Sequence, residues 1–194
     1  MSEQLGMGRA SLMKRFSPEQ IDGVAIMLSR LLVGRSSILA DDTGIGKGRQ
    51  LAALAVWANK SGKDVVFVTD RANLFSDLAR DLNDIGEWGR FAPLVFNADG
   101  EITVDAGPDQ PPRVLAKGES PAVLNRLIED DVSLREAGRN ICFLTYSQIN
   151  TEESEKARWL KNQVKDALVI FDEAHICAGS DSNMAAHASE IASA

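Results

Sequence analysis

The sequence predicts an α/β fold, a parallel sheet covered by helices on both faces. Three observations carry that expectation. Short β-rich runs alternate with helical patterns along most of the 194 residues, the pattern of parallel strands joined by crossover helices. The run "DVVFVT" (64–69) is continuously apolar and β-branched, as in a strand buried on both faces. A loop holding three glycines and a lysine, "GIGKG" (44–48), opens a helix just after another β-rich run.

In order along the chain, residues 1–16 read as a lead-in and residues 17–194 as one lobe. Ser17 is a candidate N-cap, with Pro18 at the first helical position and Gln20 three residues after the cap; Ile21, Val24, Leu28 and Leu31 then recur at helical spacing. "SSILA" (36–40) predicts a short strand, followed by the glycine loop and a helix closed by Gly62. After "DVVFVT", Leu74, Leu78, Leu82 and Ile85 share one helical face. "PLVFNA" (93–98) predicts a strand, and the Gly-, Pro- and Asp-rich stretch 99–120 a surface loop or insertion. Ser120-Pro121 restarts a helix running to about Gly138. "NICFLTYS" predicts a strand, "EESEKARWLKNQVKD" a helix and "ALVIFDEAH" an apolar strand ending in charge; Ser182 is placed to cap a last helix.

Composition narrows the classes. Hydrophobic residues make up 44% and charged residues 25%, ordinary for a soluble globular protein. The net charge of −7 argues against a general polyanion-binding surface. It is uneven: residues 1–63 carry nine Lys/Arg against five Asp/Glu, and the remainder is acidic. No apolar run approaches the roughly 20 residues of a membrane span, and the N-terminus lacks the basic start and apolar block of a secretory leader. Cys142 and Cys177 form no close pair and read as reduced thiols. No membrane partner and a cytoplasmic setting are therefore expected.

Ligands of an open parallel sheet bind at the carboxyl ends of its strands. Gly44, Gly46 and Gly48 remove side chains, so that backbone N–H groups can turn around an anion. The helix starting near Lys47 aims its N-terminus at the same point, and Lys47 supplies a mobile ammonium for the outer phosphates. Position 48, however, offers no hydroxyl to ligate Mg²⁺, and Thr43 is a poor substitute for one. "VIFDEAH" delivers Asp172 to a strand end as a hard oxygen ligand for Mg²⁺, through water, and sets Glu173 beside it to accept a proton from an attacking water. His175 and Cys177 are two residues apart, but no further ligands cluster nearby and no zinc site is expected.

"ADDTGIGKG" together with "DEAH" resembles motifs I and II of superfamily 2 helicases and translocases. The closer likeness is to the strawberry notch family, whose first motif resembles "DDTGIGKGRQ", glycine after the lysine included. "FVTDRANLFSDLARDLNDIG" and "FLTYSQI" resemble its next two segments, in the same order. The resemblance implies a RecA-like P-loop NTPase lobe that uses ATP and Mg²⁺. In it the loop residues Thr43, Gly44, Ile45, Gly46, Lys47 and Gly48 hold phosphate, and Lys47, Asp172 and Glu173 are catalytic. Arg49 is a phosphate or cleft contact or else a solvated first-turn arginine, and His175 is assigned to coupling. Gln20 falls where related enzymes read adenine, although a capping box explains it too. Thr69, Asp70 and Arg71, with Thr145, Tyr146, Ser147 and Gln148, would lie along a nucleic-acid track, DNA more than RNA; ordinary strand-end loop chemistry, with Tyr146 in the core, is the other reading. Such motors need a second RecA-like lobe to supply arginine fingers. The alternative to a motor is a nucleotide-gated binding module without efficient turnover. A bacterial, plasmid or phage setting is favoured, with a nuclear one if the source is eukaryotic.

Overall fold

The computed structural model describes residues 1–40, 44–149 and 155–174. The expected Ser182-capped helix, Cys177, Thr43 and His175 lie outside them. The main sheet has four strands, β1 (Asp64–Thr69), β2 (Pro93–Val95), β5 (Ile141–Thr145) and β6 (Ala167–Phe171), in the order β2-β5-β1-β6. All three pairings are parallel, with Thr69 opposite Thr145 and Val68 opposite Phe171.

Strand alternation divides the core. Val65, Phe67, Ile141, Phe143, Leu168 and Ile170 face one layer, built by α1 (Ser2–Leu5), α2 (Arg9–Arg15), α3 (Pro18–Leu31), α4 (Lys47–Lys60) and α5 (Phe75–Asp84). Val66, Val68, Leu94, Cys142 and Leu144 face the other, built by α6 (Pro121–Glu129), α7 (Tyr146–Ile149) and α8 (Glu155–Val164). Helices therefore cover both faces, as the alternation of runs predicts. Burial pushes the Cys142 thiol pKa far up, so it is an inert thiol.

The helix α4 is buried almost all round, residues 52–58 without exception. Its alanines let the sheet, α3 and α5 approach closely. The 14 residues of α4 span about 21 Å, and the six of β1 about 20 Å. Only residues 61–63 join the two elements, and α4 packs against both β1 and β6. It therefore runs back along the sheet, which sets its N-terminus at the carboxyl ends of the strands.

Several expectations change. Residues 36–40 form no strand, and Ile38 is 91% exposed; a β-rich run becomes a strand only beside a ladder partner, and this one has none among the described residues. The 99–120 stretch holds an antiparallel ribbon, β3 (Glu101–Val104) with β4 (Arg113–Lys117), which buries Ile102 and Val104. The strand at 93 stops at Val95, and α6 stops at Glu129, with Asp131 just beyond at φ 48°. Residues 1–16 are more than a lead-in: Leu5, Leu12 and Phe16 are buried in the same core as α4 and α5.

Candidate nucleotide site

The loop before α4 turns through two left-handed glycines, Gly44 at φ 95° and Gly46 at φ 80°. Gly46 is the N-cap of α4 and brings no side chain to cap it, so the first turn keeps donors for an anion. Lys47, the first helical residue, is half-buried. The loop is held from the side by α3. The Gln20 Nε2 donates to the Ile45 carbonyl at 2.9 Å, and a Cβ on Gly46 would meet that nitrogen at 2.4 Å. Glycine at 46 is thus required twice, by its backbone angle and by this approach. The Gln20 Oε1 accepts from the Ser17 N–H at 3.0 Å, completing the capping box. Three residues on, Gly23 makes room for buried Gln50: a Cβ there would lie 2.1 Å from Gln50 Oε1.

The guanidinium of Arg49 faces α5. It donates to Asp84 at 3.0 Å and to the Arg15 carbonyl at 3.3 Å, and its Nε lies 3.7 Å from Asp81. Sequence alone assigns Asp81 and Asp84 no role, because charges on an amphipathic helix ordinarily face water. The phrase "DLNDIG", with acids three apart, was the only available signal.

At the strand ends, Thr69 on β1 donates to Asp172 Oδ2 at 3.3 Å, just past β6. The Asp172 N–H closes onto the Val68 carbonyl at 2.8 Å, and Tyr146 donates to the Asp172 carbonyl at 2.9 Å from its stacked position on Phe171. Asp172 is half-buried. That burial, and then neighbouring Glu173, raise its pKa against the opposing hydrogen bond from Thr69. Glu173, two residues past β6, adopts φ 54°, a left-handed angle outside the extended conformation of a strand. Thr145 is buried like Thr69, with its hydroxyl 2.9 Å from that of Ser147, and Gln148 Oε1 accepts from its N–H at 3.0 Å. Arg71 is open to solvent beside Asp70 at 3.1 Å, and Ser147 is exposed. Beyond Gln148 lies a cavity of about 400 Å³ that Asn97, Asn125 and Lys156 also line.

A glycine loop feeding a half-buried lysine into a helix, and an acid on a strand end, are the arrangement a phosphate site requires. The family comparison agrees: residues 15–194 match the model described as "P-loop containing NTP hydrolase pore-1". The chain belongs to this P-loop NTP hydrolase family. No curated protein matches it.

A P-loop NTP hydrolase binds and hydrolyses nucleotide, typically with Mg²⁺, and the residues present fit that pair. A Cβ on Gly44 would meet nothing within 4 Å, so the loop has open space on that side. Asp172 offers a hard oxygen, and among the described residues no cluster of three or more His, Cys, Asp or Glu forms a ready-made metal cage. A carboxylate oxygen suits Mg²⁺, which takes one or two carboxylates and completes its shell from phosphates and water. Asp172 would hold Mg²⁺, which would supply neutralisation of the charge that develops on the phosphates. No described helix is long and apolar enough to cross a membrane.

Proposed function

We propose that this P-loop NTP hydrolase is the ATP-binding lobe of an ATP-dependent helicase or translocase acting on nucleic acid, DNA in preference to RNA. The observation that carries the reading is the alignment of Thr145, Thr69 and Asp172 at the ends of neighbouring strands. It sets Asp172, the acid assigned to Mg²⁺ in this reading, beside loops that also carry Arg71, Ser147 and Gln148. In this reading the loop residues 43–48 hold the phosphates of ATP, Lys47 reaches the outer ones, Asp172 holds Mg²⁺ through water and Glu173 accepts the proton of the attacking water. Buried Thr69 ties Asp172 to β1, and so links that acid to the chain leading to Arg71. Nucleic acid on Arg71, Ser147 and Gln148 would bias the same loops that carry the acid. His175 would extend this coupling.

A second RecA-like lobe is expected to supply the transition-state arginine, whose loss costs on the order of 10³–10⁵ in rate in related systems. The test is ATP hydrolysis by the lobe joined to that partner, with and without single-stranded DNA or RNA, beside Lys47→Ala. Nucleic-acid stimulation that Lys47→Ala abolishes supports the motor. Turnover indifferent to nucleic acid would overturn it, and binding without turnover would favour a nucleotide-gated module.

A further inference from the structure

Position 48 is where phosphate loops ordinarily place a hydroxyl residue, and here the space for its side chain is already taken. A Cβ built on Gly48 would lie 2.3 Å from Asp81 Oδ2 and 3.4 Å from its Cγ, whereas real Cβ atoms essentially never come within 3.0 Å of another heavy atom. A side chain at 48 and the Asp81 carboxylate as it is placed therefore compete for the same space, and one of them must shift to admit the other. Asp81 is also held in place. Its side chain is 14% exposed and lies 3.7 Å from Arg49, itself fixed by Asp84 and the Arg15 carbonyl. Burial raises the pKa of Asp81, against the pull of Arg80 and Arg49, so the fold keeps this carboxylate against a desolvation cost. It sits against the first turn of α4, where its shape fills the space beside Gly48.

We propose that Asp81 is a positioning residue of the phosphate site: reaching from α5 into the space a residue-48 side chain would fill, it fixes the first turn of α4 through Gly48 and Arg49, and glycine at 48 is the requirement of that contact. The proposal rests on the phosphate-loop reading. It makes Gly48 and Asp81 one exchangeable pair, divided between two helices.

The experiment titrates a fluorescent ATP analogue with Mg²⁺ into the wild type, Lys47→Ala, Gly48→Ser, Asp81→Ala, Asp81→Asn and the Gly48→Ser/Asp81→Ala double variant. Each titration is run well below that variant's melting temperature, so that loss of folded protein does not register as loss of affinity. Gly48→Ser and Asp81→Ala should each weaken binding about tenfold, and the double variant should recover to within about threefold of the wild type, the scale of coupling between packed neighbours. Asp81→Asn keeps the shape and an acceptor for Arg49, and should bind nearly as the wild type does. It also decides the matter if Gly48→Ser fails to fold, because Asp81→Asn must then rescue what Asp81→Ala loses. Additive losses, or full affinity in Gly48→Ser, would overturn the proposal while Lys47-dependent binding upheld the phosphate site. Absence of Lys47-dependent binding in the wild type would overturn both.

Discussion

In the proposed reading Lys47 and Asp172 have different roles at the phosphate site, and their variants should part accordingly. Lys47→Ala removes a charged donor to phosphate, a contact of about 1.5–3 kcal/mol, so nucleotide affinity should fall roughly tenfold to hundredfold. Asp172 has a pKa raised by burial and by Glu173. A carboxyl whose folded pKa lies above its unfolded value contributes stability that is full below the unfolded value and lost as pH rises through the folded one. At neutral pH the ionised Asp172 therefore weighs against the ligand-free fold. Asp172→Asn should melt higher than the wild type at pH 7, with the gain shrinking as the wild type protonates in acid. The same variant should lose the Mg²⁺-dependent part of nucleotide binding. Melting curves across pH, paired with titrations with and without Mg²⁺, check both signs; a lower melting temperature at neutral pH would show that the hydrogen bond from Thr69 outweighs desolvation.

Among the elements, α3 acts as a clamp on the loop, and Gln20 uses both ends of its amide to do so. Gln20→Ala gives up a hydrogen bond at each end, about 1 kcal/mol apiece, and in a chain of this size each kcal/mol lowers the melting temperature by about 2–4 °C. With both amide ends engaged, ATP and GTP should weaken together; a loss confined to ATP would carry the adenine-reading role instead. The elements also show what could be read in advance. The strands β1 and β5 were legible because burial on both faces makes a continuous apolar run, and the edge strand β6, buried on one face and half-buried on the other, keeps an apolar run as well. The ribbon β3–β4 was hidden by the Gly, Pro and Asp residues around it. "SSILA" has the same local chemistry as a strand, but nothing local says whether a partner strand lies beside it. Lys47, Asp172 and Glu173 stood out because their chemistry follows from neighbours in sequence. The place of Asp81 did not, since only the approach of α5 to Gly48 distinguishes it from any solvated helix acid.

For the whole molecule, a net charge of −7 and a proposed nucleic-acid role are compatible only if the contact is local. A surface that neutralised many phosphates would show a steep salt dependence, and nothing in the charge balance provides for one. In the proposed reading the strand-end loops would supply the few contacts, foremost Arg71, whose side chain is 78% exposed. Its pairing with Asp70 is an exposed ion pair, worth about 0–1 kcal/mol, which a phosphate can displace. DNA binding by the lobe joined to its partner should therefore show a shallow slope of log affinity against log salt, and Arg71→Ala should weaken binding across sequences while reducing that slope by about one. Ser147→Ala should weaken binding without moving the slope, because it removes a neutral contact and releases no counterion. An unchanged slope in Arg71→Ala would mean that nucleic acid does not cross these strand ends, and the acidic remainder of the lobe would then face solvent or protein.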